Sequence, residues 1–141
     1  MHHQSKISVS TAGRGSYELT DQVLHVVRES GVEVGLCVVT CLHTSASLLV
    51  TECADPSVQV DLRSWLERLA PDGDSLYTHT AEGPDDMPSH LKAAITRSTE
   101  TLSVAAGALV LGVWQGLFLL EHRARPHQRE VLVHVSGDPA G

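Results

Sequence analysis

Gly35-Leu36-Cys37-Val38-Val39-Thr40-Cys41-Leu42-His43-Thr44-Ser45-Ala46-Ser47-Leu48-Leu49-Val50-Thr51-Glu52 is the stretch that decides the fold. Residues 35–42 and 46–52 are two β-rich runs, and the polar triplet His43-Thr44-Ser45 separates them. Asp55-Pro56 then starts a helix, with a side-chain cap followed by proline at the first helical position. With strands before it and strands after the helices that follow, the chain reads as an α+β domain.

Working outward, residues 6–11 alternate Ile7, Val9 and Thr11 with polar neighbours and read as a strand. Gly13-Arg14-Gly15 turns, and Tyr17-Glu18-Leu19 is expected to pair back. Thr20 reads as a helix cap, Val23, Val26 and Val27 follow at helical spacing, and Gly31 ends the helix. After Pro56, Val58, Leu62, Leu66 and Leu69 form one apolar stripe, stopped by Pro71-Asp72-Gly73-Asp74. A short helix is expected over Pro88 to Thr96, with Leu91, Ala94 and Ile95 facing inward. The strand candidates after it are Thr101–Ala105, Leu109–Val113, Gly116–Glu121 and Arg129–Val135, with turns or close approaches at Gly107 and Gly112. The expected architecture is a single compact α+β domain over residues 1–141, with a core at about 5–137. It carries a mixed or antiparallel sheet and helices packed on one face.

Composition narrows the function classes. The 141 residues have 42% hydrophobic and 19% charged content, that of an ordinary globular protein. A net charge of -7 with only ten Lys plus Arg argues against nucleic acid as a partner, since phosphate backbones demand clustered cations. No apolar run approaches the ~18 residues of a membrane span, and Met1-His2-His3-Gln4 opens no signal peptide, so a cytoplasmic protein is expected. Cys37 and Cys41 lie four residues apart in one strand, roughly 13 Å, too far for a disulfide. With Cys53 they read as reduced thiols.

Chemistry concentrates in Glu82-Gly83-Pro84-Asp85-Asp86-Met87-Pro88-Ser89-His90, with His79 just upstream. Three carboxylates and an imidazole on a backbone stiffened by glycine and two prolines suit a metal ion. Zinc takes histidine nitrogens and carboxylate oxygens at ~2.0–2.2 Å. His79 and His90 from the ends of this loop, and His43 from a neighbouring strand end, are the candidate metal ligands. Asp85 or Asp86 can equally cap the helix that follows, and the two roles are compatible. His43 with Thr44, Ser45 and Ser47 fits either a phosphate-binding turn or a turn whose hydroxyls cap backbone groups. Trp114 and Gln115, between Gly112 and Gly116, can floor a pocket for a flat ring or simply pack at a strand bend. Glu121 and Arg123 share a strand face, as a surface ion pair or part of an anion site.

Taken together, His43-Thr44-Ser45-Ala46-Ser47, Glu52 with Ala54-Asp55-Pro56, Glu82 to His90, Gly112 with Trp114-Gln115-Gly116, and Glu121-His122-Arg123 resemble the YjbQ-like family, also called the secondary thiamine-phosphate synthase family. The match runs in order from about residue 7 to 137, and departs from the family pattern at Cys53, Arg97-Ser98-Thr99-Glu100 and Ser103. The resemblance implies a YjbQ-like fold, a homotrimer with its site near subunit boundaries, and a thiamine-phosphate synthase activity. That reaction joins hydroxymethylpyrimidine diphosphate to thiazole phosphate and releases diphosphate. On this reading His43, His79 and His90 hold a divalent metal, zinc or magnesium. Asp86, Glu82 and Glu121 are the catalytic carboxylates, and Thr44, Ser45, Trp114, Gln115 and Arg123 contact a small phosphorylated heterocycle. The alternative is a homotrimeric module that binds a metal or small ligand without turnover.

Overall fold

The computed structural model describes residues 1–141. It holds eight strands and three helices in chain order: β1 (His2–Thr11), β2 (Gly15–Glu18), α1 (Thr20–Ser30), β3 (Val32–Cys41), β4 (Ala46–Glu52), α2 (Pro56–Leu69), α3 (Asp86–Ile95), β5 (Thr99–Ala105), β6 (Ala108–Leu109), β7 (Gln115–Glu121) and β8 (His127–Pro139). This is the expected α+β domain.

The two β-rich runs of the opening stretch do not pair with each other. β3 lies between β8 and β5 in a five-stranded sheet of order β1-β8-β3-β5-β6, and β4 joins β7 and β2 in a three-stranded sheet. The triplet His43-Thr44-Ser45 is therefore the crossing between two sheets, and every ladder is antiparallel. Tyr17 and Glu18 likewise pair with β7, at Leu119 and Phe118, rather than back onto β1. β1 extends to His2 because β8 runs on to Pro139 and pairs with it from His127 to Ser136.

One apolar core joins both sheets to α1. Val23 and Val27 of α1, Cys37 and Val39 of β3, Leu48 of β4, Leu117 and Leu119 of β7 and Val133 of β8 are all fully buried in one cluster. Area removal of this kind contributes about 1.5–3 kcal/mol for each large side chain before entropy is counted. α1 packs on the larger sheet, whereas α2 lies against β2 and α3 against β4.

Local signals hold where they are strong. Asp55 caps α2, its carboxylate accepting from the Ser57 N–H at 3.0 Å. Gly31 ends α1 at φ 72°, in the left-handed region that suits glycine. Ala106 (φ 51°) and Gly107 (φ 69°) form the two-residue turn joining β5 to β6, both in the positive-φ conformation that matches strand twist.

Other expectations are corrected. Thr20 is not a cap: Leu19 holds that position with no side-chain bond, and the Thr20 hydroxyl instead accepts from the Leu117 N–H. The segment Leu109–Val113 is not a strand beyond Leu109, because Gln115 folds back on Gly112. α3 begins earlier than expected, and its buried face is Asp86, Pro88, Ser89 and Lys92, while Leu91 and Ile95 are exposed. The stripe on α2 is also thin, since only Leu66 is buried and Leu69 faces solvent. A helix turned polar side inward needs polar partners beneath it, and those partners form the site.

Candidate metal centre

The loop from Ala70 to Asp85 is folded on itself before it reaches α3. The Gly73 N–H donates to Pro84 O at 3.0 Å, and the Tyr77 hydroxyl donates to Pro71 O at 2.8 Å. Gly83 takes φ 101°, a conformation that a side chain would strain. The result carries His79 to the start of α3. On α3, Asp86 and His90 are one turn apart and so share a face.

His79 Nε2 lies 2.7 Å and His90 Nε2 3.0 Å from the same atom, Asp86 Oδ2. All three donor atoms are within 4.8 Å of one another. The surroundings fix each one. His90 Nδ1 is 2.8 Å from the carbonyl of Thr44, and since a carbonyl only accepts, Nδ1 carries the proton. That turns the other ring nitrogen, Nε2, toward the carboxylate oxygen, where both could hold one cation. Asp86 Oδ1 accepts from Arg123 Nη1 at 2.7 Å, which leaves Oδ2 for the histidines. Backbone and guanidinium partners of this kind orient metal ligands and set their tautomers.

Burial by itself would raise the Asp86 carboxyl; the His79 hydrogen bond and the His90 and Arg123 charges outweigh it and hold it below its ordinary value. An ionised carboxylate and two imidazoles form a donor set suited to zinc. Donors at ~2.1 Å on a tetrahedral ion stand about 3.4 Å apart, so an opening of about half an ångström accommodates one. The outward side is accessible: His79 and His90 are 47% and 30% exposed. A groove of about 600 Å³, lined by His43, Thr44, His90, Thr96 and Ser98, opens beside His90. A second, of about 360 Å³, opens beside His79.

The remaining candidates are placed elsewhere. His43 is not a ligand with the other two, because its Nε2 accepts from the Glu130 N–H of β8 at 2.8 Å. It borders the groove only. Thr44 contributes its carbonyl to His90 rather than its hydroxyl to a substrate. Ser45 Oγ accepts from Arg129 Nη2 at 3.0 Å, inside the protein. Glu121 is 1% exposed, accepts from Arg129 Nε at 2.8 Å and from the Thr11 hydroxyl at 2.7 Å, and so serves as a buried structural anion. Arg123 is occupied by Asp85, Asp86 and the Glu82 carbonyl. That leaves it no free edge for a phosphate. Asp85 stands at the N-cap of α3 but gives it no side-chain bond, its carboxylate being turned to Arg123 and the Ala124 N–H. Glu82 is the carboxylate of the run left exposed, without an ion-pair partner.

Trp114 and Gln115 sit at the opposite end of β7 from Glu121, about 20 Å away along the strand. Trp114 is 64% exposed, and Gln115 Oε1 accepts from the Gly112 N–H at 2.7 Å to close a turn. Within one chain neither reaches the histidines.

Two buried groups escaped the sequence reading. His122 is 3% exposed, with Nε2 2.8 Å from Ser47 Oγ, and Lys92 is 1% exposed with no partner for its amine. Strand alternation sets His122 opposite Glu121 and Arg123, and the unbroken apolar run Leu117-Phe118-Leu119-Leu120 before it is the sequence signal that both faces here are buried.

A family model described as UPF0047 protein YjbQ-like matches residues 5–138. The chain belongs to the YjbQ-like UPF0047 family. A UPF0047 protein of Synechocystis is 47% identical over 136 residues, covering 96% of this chain and 92% of its own. The UPF0047 protein YjbQ of Salmonella typhimurium is 38% identical over 141 residues, covering 98% and 100%. Among solved structures, a YbjQ-like protein from Sulfolobus solfataricus superposes with a TM-score of 0.91 at 26% identity, covering 98% of this chain and 99% of that one. A YjbQ/UPF0047 protein from Clostridium acetobutylicum gives 0.86 at 34% identity, covering 94% and 99%. These UPF0047 relatives correct one expectation. They carry no thiamine-phosphate synthase designation, and the Sulfolobus protein is described as of unknown function. The synthase activity implied by the resemblance is therefore withdrawn.

Proposed function

We propose that the chain is a metal-dependent enzyme whose His79, Asp86 and His90 hold one divalent ion, with zinc favoured over magnesium. The observation that carries this reading is the convergence of His79 Nε2 and His90 Nε2 on Asp86 Oδ2, with His90 fixed by a backbone carbonyl and Asp86 by Arg123. Two imidazole nitrogens suit zinc, whereas magnesium takes mostly oxygen and retains its waters. A bound ion of this kind polarises a carbonyl or phosphoryl oxygen and lowers the pKa of its water, which favours hydrolysis of a small polar substrate. The groove beside His90 offers the Ser98 hydroxyl to such a substrate. Glu82, exposed at the rim of the run, is the carboxylate available to accept a proton.

Elemental analysis after chelation and zinc reloading is expected to give one ion per chain. His90→Ala and Asp86→Ala should each retain less than a tenth of that, with His2 and His3 replaced by serine in every sample to remove surface ligands. Equal metal in the wild type and both variants would overturn the reading. Metal-loaded protein that turns over no ester, amide or phosphoester would leave the metal site standing and remove the hydrolysis.

We also propose a homotrimer. Supporting it, Val110, Val113 and Trp114 are 54%, 83% and 64% exposed on one connection, apolar area that a lone chain leaves in water. Light scattering on the purified protein should return a mass of about three chains; a single-chain mass would refute it. No helix is long and apolar enough to cross a membrane.

A further inference from the structure

Beneath α3, on the side facing away from the histidines, a cavity of about 20 Å³ has Arg14, Leu66, Glu67, Lys92, Glu121 and His122 among its lining residues. A water-sized body needs roughly 10–15 Å³ of such space, so the cavity takes one small occupant. Lys92 is 1% exposed and its Nζ has no hydrogen-bond partner. A buried cation without a partner is costly enough that proteins nearly always supply one.

The charges around it show what is missing. Arg14 Nη2 donates to both oxygens of Asp72 at 3.1 Å, and its Nη1 reaches Glu67 at 3.4 Å. Arg63 Nε also donates to Glu67, at 3.2 Å. Arg14 and Arg63 therefore balance Asp72 and Glu67, two against two. The other carboxylates around it are taken: Glu121 by Arg129 and Thr11, Asp85 by Arg123 and Ala124. None of these carboxylates bonds Lys92, whose amine is left without a counter-charge in contact.

We propose that this cavity is a binding site for a singly charged anion of one to three heavy atoms, of the chloride or formate class, paired with Lys92. It would supply the partner that Lys92 Nζ lacks, and the space admits one small body. The anion would tie α3, through Lys92, to the Arg14 cluster between α2 and β2. The inference is independent of the metal centre, which lies on another face of the same helix.

The test uses the whole chain at constant ionic strength, replacing sodium gluconate, whose anion is too large for the cavity, by sodium chloride or sodium formate. The unfolding midpoint of the wild type is expected to rise saturably, by about 4 °C at tenfold above half-saturation. Lys92→Met should show no saturable rise. A crystal grown in sodium bromide should give an anomalous peak within the cavity, beside Lys92. An equal response of wild type and Lys92→Met would overturn the proposal. So would a bromide crystal with only water in the cavity, whatever the midpoints show, and this second arm decides the matter if the variant fails to fold.

Discussion

Replacing Glu121 with leucine is expected to cost about 3–5 kcal/mol of folding stability, the range for breaking a buried ion pair by removing one partner. Glu121 and Arg129 are 1% and 4% exposed. The guanidinium donates to both carboxylate oxygens, through Nε at 2.8 Å and through Nη2. Arg129 Nη2 also reaches Ser45 Oγ, so the leucine variant strands a cation inside the protein with only neutral acceptors. The pair itself need not be strongly stabilising, because desolvation offsets much of its attraction. A double-mutant cycle in urea separates these cases. Glu121→Leu and Arg129→Met should each be severe alone, while the double variant should recover most of the loss. A single variant costing under about 1 kcal/mol would show that the pair is not desolvated as the fold implies.

That pair also explains where sequence reading succeeded and failed. Glu121 was legible as important but not as structural, because its partner lies eight residues on, across the connection from β7 to β8 in the other sheet. His43 was legible as a strand-end histidine, yet its ring is taken by the Glu130 N–H, which only the β3–β8 pairing brings near. The His79, Asp86 and His90 set was legible because all three lie within one loop and the first turns of α3, where spacing alone brings them together. Strands and the α2 start were readable for the same reason: alternation and the Asp55-Pro56 cap are local signals. The inward face of α3 was not. Periodicity assigns Leu91 and Ile95 to the core, but Ser89 finds the His122 carbonyl and Asp86 finds Arg123, both supplied by a segment more than thirty residues away. Burial then follows hydrogen bonding rather than hydropathy.

His122 gives the second large effect, and it is one of pH. Burial first, and then the Lys92 charge, push this imidazole from 6.5 down to about 3 in the folded protein. Its Nε2 meets Ser47 Oγ at 2.8 Å, and the Thr96 hydroxyl donates to the same oxygen at 2.6 Å. The neutral ring is thus built into a hydrogen-bonded chain that is buried at its His122–Ser47 end. In the unfolded chain it protonates near its ordinary value, whereas the folded protein refuses the proton until about pH 3. Stability is therefore intact above about pH 6.5 and is lost as pH falls toward 3. At pH 5 the loss from this one residue is about 2 kcal/mol, one and a half units at roughly 1.4 kcal/mol each. His43, also held low by burial and then by Arg129, adds in the same direction, but it is partly open to the groove and its share is smaller. Glu121 and Asp85 are held low as well, and their contributions fade only below the ordinary carboxylate range. Urea unfolding between pH 7.5 and 5 is thus expected to show a stability drop that His122→Gln, whose amide still faces Ser47, largely removes. An undiminished drop in that variant would mean that the ring takes up its proton in the folded state, and that the chain through Ser47 and Thr96 is wetter than its geometry implies.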